Sequence, residues 1–247
     1  MEKSRKRKYR YKYSYSVQSQ GDPSVNVYGI FTPGSAPSDS NGRQDRFNRD
    51  IASANQVWNS GGECNINFIS QPIIEVNTVI DATHLGTNEA FRGPVENLIN
   101  QVKQMNGNQP GIYVVYTSGN DFAAPSGSSR PIGVGGVIIE NFRVENDVPQ
   151  FTLFGSIALS NRSLSAPFAF AHEAGHALFT QLNNQPVNNV FIFQSIDPTG
   201  PFIDSAGNID PAHSNLTGNL MAPILPNSTP TINPLQCQKA SMSRILQ

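Results

Sequence analysis

Between Pro167 and Leu182 a nearly unbroken apolar stretch, with Phe168, Phe170, Ala171, Ala174, Ala177 and Leu178, encloses His172, Glu173 and His176. The apolar positions fall on more than one side of a 3.6-residue repeat, which predicts a helix over 167–182 that is buried nearly all round. Ser165 is a suitable N-cap, and Pro167 stands near the first turn, where a missing N–H costs little. A buried helix with two imidazoles and a carboxylate must give them partners, because an unpaired buried charge is expensive. The remaining elements have to be arranged around that demand. Gly175 lies inside the same helix, where it costs about 1 kcal/mol relative to Ala. A close approach by another backbone or a ligand accounts for its presence.

His172 and His176 are four residues apart, so their rings leave one face of the helix about one turn from each other. Two ring nitrogens so placed can reach a single tetrahedral ion at about 2.0–2.1 Å. Glu173 follows the first histidine and points to the side of the metal. There it serves as a general base for a water rather than as a ligand. The string His172-Glu173-Ala174-Gly175-His176 is therefore the HExxH arrangement, and Zn2+ is the expected cofactor. The competing reading, two satisfied core histidines, does not explain the glutamate between them.

The third ligand follows by elimination. The chain has four histidines, and His84 and His213 remain. No glutamate follows Glu173, so a downstream glutamate ligand is excluded. Asp197, Asp204 and Asp210 stay open as carboxylate candidates. His213 is the better choice, in a Gly- and Asn-rich segment able to turn sharply. His84 reads as a structural or surface residue.

Elsewhere the pattern alternates between strands and helices. Val25–Phe31 and Cys64–Ile69 alternate as strands, and 72–80 is apolar and extended. Phe47, Ile51, Ala54, Val57 and Trp58 predict a helix over 43–58, closed by Gly61-Gly62. Pro94–Met105 has helical periodicity. Ile112–Tyr116 is a continuous apolar run, as in a central strand covered on both faces. Val134–Ile139 and Phe151–Leu159 predict two further strands. From Asn183 on, eight prolines predict a loop-dominated region.

Composition adds three points. Seven of the 17 basic residues lie between Lys3 and Lys12, while the overall charge is only −1. Residues 1–20 are therefore expected to form a disordered basic tail, with an electrostatic contact to an anionic surface as the sharper reading. No folded nucleic-acid module follows, so a nucleic-acid partner is not expected. No stretch is long and apolar enough to span a bilayer, and no apolar run follows the basic head. The compartment stays open between the cytoplasm and secretion or surface display by a non-standard route. Cys64 and Cys237 either pair, tying the C-terminal region to the body, or remain buried thiols.

HExxH, a later histidine, and the run Gly218-Asn219-Leu220-Met221 eight residues beyond His213 together resemble the metzincin metallopeptidases. The resemblance implies an α/β (α+β) fold: a twisted, mixed and mostly parallel five-stranded sheet, two to three helices, and a loop-rich C-terminal subdomain. It implies one catalytic domain over 21–247, divided near 182. It makes His172, His176 and His213 the metal ligands, Glu173 the catalytic base and Met221 the floor beneath the metal. It also implies an edge strand, here Gly133–Glu140, on which a substrate peptide adds as a further strand. The family string HExxHxxGxxH is interrupted, with Phe179 at the glycine position and 36 residues between His176 and His213. Leishmanolysin-like enzymes also carry a long insertion before the third histidine. Pro223 stands where some relatives have a tyrosine, so no tyrosine is assigned to the transition state.

The function implied is peptide-bond hydrolysis on a protein or peptide substrate. The alternatives are a noncatalytic surface or structural protein that keeps the fold, and a zinc hydrolase acting on another bond.

Overall fold

The computed structural model describes residues 22–59, 64–87, 93–124, 130–146, 148–187 and 190–247. The basic tail over 1–20 and the Gly61-Gly62 stop lie outside these residues. The fold is a mixed α/β structure around one sheet of six strands.

Strands β1 (Ser24–Phe31), β2 (Asn67–Ser70), β3 (Ile74–Glu75), β4 (Ile112–Tyr116), β5 (Gly133–Glu145) and β6 (Val148–Leu159) form the sheet. Their order is β2-β1-β4-β6-β5, with the two-residue β3 pairing with β1 beyond the end of β2. All pairs are parallel except β5 with β6. The five strands of this path are the expected five, and β3 is a sixth, minimal strand drawn from the extended segment over 72–80. The β5–β6 hairpin is longer than the alternating segments that predicted it, because both strands run past the sheet's main body.

The strand pleat divides the core in two. Val25 and Val27 of β1 and Ile112, Val114 and Tyr116 of β4 face helices α1 (Ser40–Trp58) and α3 (Ala169–Phe179). Tyr28, Ile30, Tyr113 and Val115 face α2 (Pro94–Met105) through Val95, Leu98, Ile99 and Val102. All five residues of β4 are buried, as a central strand covered on both faces requires. The Asp39 side chain caps α1 by accepting from the Gly42 amide at 2.8 Å.

Helix α3 is shorter than its periodicity predicted. Ser165 does not cap it: the helix begins at Ala169, after Phe168, and Ser165 ends a separate 3-10 turn over Asn161–Ser165. The Ser165 hydroxyl donates to the Arg162 carbonyl instead. At the other end Thr180 turns to an extended conformation, its hydroxyl donating to the His176 carbonyl at 2.8 Å. The chain then runs straight into strand β7 (Thr180–Val187), which pairs antiparallel with β8 (Val190–Ser195). A small pair, β9 (Phe202–Ile203) and β10 (Ile209–Asp210), follows, and helix α4 (Pro234–Ser241) lies near the end. The region after Asn183 therefore holds two hairpins and a fourth helix among long connections, more structure than its prolines predicted.

Cys64 and Cys237 form a disulfide, which joins α4 to the segment between α1 and β2.

Candidate metal centre

Every residue of α3 is buried. On one side the Trp58 indole N–H donates to the Ala171 carbonyl at 3.1 Å. On another, β5 lies directly on the helix. A Cβ at Gly135 would overlap the Glu173 backbone carbonyl, and one at Gly133 would come within 2.7 Å of Glu173 Oε1. Against the next face, the Met221 sulfur occupies the space that a Cβ at Gly175 would need. Gly175 is thus explained by close approach, though the approaching group is a side chain rather than a backbone or ligand.

His213 joins the pair on α3. The ligand-capable atoms of His172, His176 and His213 all lie within 4.8 Å of one another, so the cluster can hold a metal ion. The ring centroids are 4.8 Å apart for His172–His176, 5.3 Å for His172–His213 and 4.8 Å for His176–His213. His172 Nε2 and His176 Nε2 stand 3.2 Å apart. Two nitrogens on one tetrahedral ion at about 2.05 Å would be roughly 3.3 Å apart. The spacing of this pair already matches that of shared ligands.

Two of the rings have their inner nitrogen fixed. His172 Nδ1 donates to the Leu220 carbonyl at 2.7 Å, and His213 Nδ1 donates to Asp210 Oδ2 at 2.7 Å. Each bond selects the tautomer whose Nε2 carries the lone pair a metal needs. The turn that presents His213 is built by the same aspartate, whose other oxygen accepts the Ala212 amide at 3.0 Å. The Phe202 amide then holds the His213 carbonyl at 2.8 Å, which brings β9 alongside.

Burial, with the neighbouring His213, lowers the His172 pKa to about 4, against the pull of the Leu220 bond. Burial and the two neighbouring imidazoles hold His176 well below the usual histidine range. Both rings are therefore neutral near pH 7, the form that coordinates a metal. Three imidazoles are a donor set suited to a tetrahedral metal ion with one position left for another ligand. Burial pushes the Glu173 carboxyl up to about 8, and a hydrogen bond from the Gly135 amide opposes the shift. Glu173 thus lies on the β5 side of the helix.

The other candidates are used differently. Asp197 is buried and accepts from the Thr199 amide and the Gln236 side chain. Asp204 accepts from the Ala206 and Asn208 amides in an exposed turn. Asp210 supports His213. His84 is exposed, with Asp81 3.6 Å from its ring. Met221 is fully buried against α3, in a turn where the Ala222 amide donates to the Asn219 carbonyl at 3.1 Å. Sequence reading missed the Leu220 carbonyl, the Gly135 amide and the supporting role of Asp210. Only the last left a signal, an aspartate three residues before the histidine.

No protein-family model matches the chain, and no match is found among curated proteins. Among solved structures the chain is similar to metalloproteinase-II from Bacteroides fragilis, with 12% sequence identity and a TM-score of 0.41. The match covers 68% of this chain and 46% of that one, so the chain spans less than half of that protein's length.

Proposed function

We propose that the chain is a zinc-dependent peptidase of the metzincin kind. The observation that carries the reading is the convergence of His172, His176 and His213, two of them with Nδ1 already committed, beside a buried Glu173 on the same helix. Zinc held by His172, His176 and His213 would supply a Lewis acid for the scissile carbonyl and the attacking water. Beside a bound cation the Glu173 carboxyl would ionise despite its burial, accept the proton of the attacking water and pass it to the departing amine nitrogen. Met221 closes the space beneath the three rings. The edge strand β5 takes a substrate peptide as a further antiparallel or parallel neighbour, by main-chain hydrogen bonds. Residues 21–247 act as one catalytic domain in this reading.

Glu173→Gln separates a catalyst from a noncatalytic zinc protein. The variant should keep its zinc and lose peptide-library cleavage by about 10²–10⁴-fold, the range for a general base. Cleavage equal to that of the unmodified protein would rule out the base assignment. A zinc-loaded unmodified protein that cleaves no peptide would favour a noncatalytic role.

A further inference from the structure

The zinc reading leaves one buried side chain with more polar partners than its own helix needs. Gln236 is in the first turn of α4 and is fully buried. Its Oε1 accepts the Asn233 amide at 2.8 Å, which completes the capping box of the helix. That bond is all that capping the helix asks of the side chain. Gln236 instead spends every remaining group on two distant loops.

With Asn219 it forms a reciprocal amide pair, Asn219 Nδ2 to Gln236 Oε1 at 2.9 Å and Gln236 Nε2 to Asn219 Oδ1 at 2.8 Å. Its outer N–H donates to Asp197 Oδ2 at 2.6 Å. Each partner leads to a metal-site histidine. Asn219 Oδ1 also accepts the Met221 amide at 2.9 Å, which fixes the backbone on both sides of Leu220. The Leu220 carbonyl is the one that orients His172. Asp197 donates its amide to the Pro211 carbonyl at 2.8 Å, and its Oδ1 accepts the Thr199 amide at 2.7 Å. The Thr199 hydroxyl meets the Ser214 hydroxyl at 2.7 Å. Pro211 and Ser214 bracket His213.

We propose that Gln236 is a positioning residue for the metal centre, setting the Leu220 carbonyl behind His172 and the His213 turn through one saturated, buried hydrogen-bond network. The proposal rests on the zinc reading. Helix α4 can serve as the fixed point because Cys237, the next residue, is tied to Cys64. Asp197, Asn219 and Ser214 are all buried, so water cannot replace a lost partner and the loops must shift when one goes.

The test uses the full chain. Zinc affinity is measured by chelator competition, the visible spectrum is recorded with Co2+ in place of zinc, and circular dichroism checks the fold. Gln236→Met keeps the length and removes every polar contact. Thr199→Val, at a half-buried position, removes the hydroxyl that donates to Asp197 Oδ1 and meets the Ser214 hydroxyl, and leaves the Thr199 amide on Asp197 and every bond of Gln236 in place. Asn55→Leu is the control, since its side chain makes two hydrogen bonds to the Phe68 backbone away from the histidines. Gln236→Met should weaken zinc binding about tenfold or more and alter the cobalt bands, as loss of outer support does at metal sites. Thr199→Val should show a smaller loss of the same kind, and Asn55→Leu neither. Folded Gln236→Met with unchanged affinity and spectrum overturns the proposal. If that variant does not fold, unchanged binding by Thr199→Val overturns it. An unmodified protein that binds no zinc overturns the zinc reading itself, a distinct result.

Discussion

At Gly135 and Gly175 the absence of one carbon atom decides how tightly α3 can be enclosed. A Cβ at Gly175 meets the Met221 sulfur, the end of a side chain that can yield. A Cβ at Gly135 meets the Glu173 backbone carbonyl, which cannot move without the helix. Gly175→Ala also gains about 1 kcal/mol of helix propensity to offset part of its overlap. Gly135→Ala should therefore be the more destabilising in urea unfolding, by about 1–3 kcal/mol for overpacking. Equal losses, or the reverse order, would mean that β5 is free to move away from α3. A second residue sets a pH dependence. Burial raises the Asp50 carboxyl from 3.8 to about 6, against the attraction of Arg46 and the hydrogen bond from Tyr116. A raised folded-state value means that the folded chain holds this proton more tightly than the unfolded chain. Its contribution is fully present below pH 3.8 and is lost as pH rises through 6, a change of about 3 kcal/mol. Denaturation at pH 4 and pH 7 should show Asp50→Asn free of this loss; an unchanged difference between the two pH values would place the carboxylate in contact with water. Of the candidate site, the His172–His176 pair was legible because its spacing puts two side chains on one helix face. His213 was reachable because few histidines remained. The Leu220 carbonyl and the Gly135 amide were not legible, since every residue carries those groups and only the fold selects two of them.

Elements with a strong period were readable to within a few residues. Pro94–Met105 forms α2 with the predicted bounds, and Ile112–Tyr116 forms the central strand. The failures have local causes. Ser165 and Pro167 look like a helix start, yet the chain spends them on a 3-10 turn and its exit, and α3 starts at Ala169. Strand β7, with the sequence TQLNNQPV, has no alternation of its own and is specified by its pairing with β8, Leu182 opposite Phe193. Non-local pairing of that sort leaves little trace in a short window. The disulfide was one of two open readings, because spacing cannot say that residues 173 positions apart meet. It closes a loop of that length, so the chain-entropy model gives it about 5 kcal/mol as an upper figure. Replacing both cysteines by serine should lower the thermal midpoint markedly and loosen α4 first, read by hydrogen exchange at Gln236–Ala240. Protection of α4 equal to that of α2 in the double variant would show that packing alone holds it.

Across the whole molecule, the sheet and α1 to α3 make the body; of the described chain after Phe179, Met221 packs against α3 at Gly175, and Gln247 reaches back to Ser24 at the start of β1. The 36 residues between His176 and His213 are largely spent on two hairpins, and the second of them delivers His213 to the pair. Asp197 lies between the hairpins and binds α4 through Gln236, so the late chain closes on itself before it closes on the helix. This is why the third histidine can come so late in sequence without loss of geometry. Among the described residues no helix is long and apolar enough to cross a membrane. The measurement that bears most directly on the proposed zinc centre is metal content by mass spectrometry on purified protein, for the unmodified chain and His213→Ala side by side. About one zinc per chain, with most of it lost in the variant, is the expected result. Full zinc retention in His213→Ala, or no zinc in the unmodified protein, would contradict a metal centre built from these three histidines.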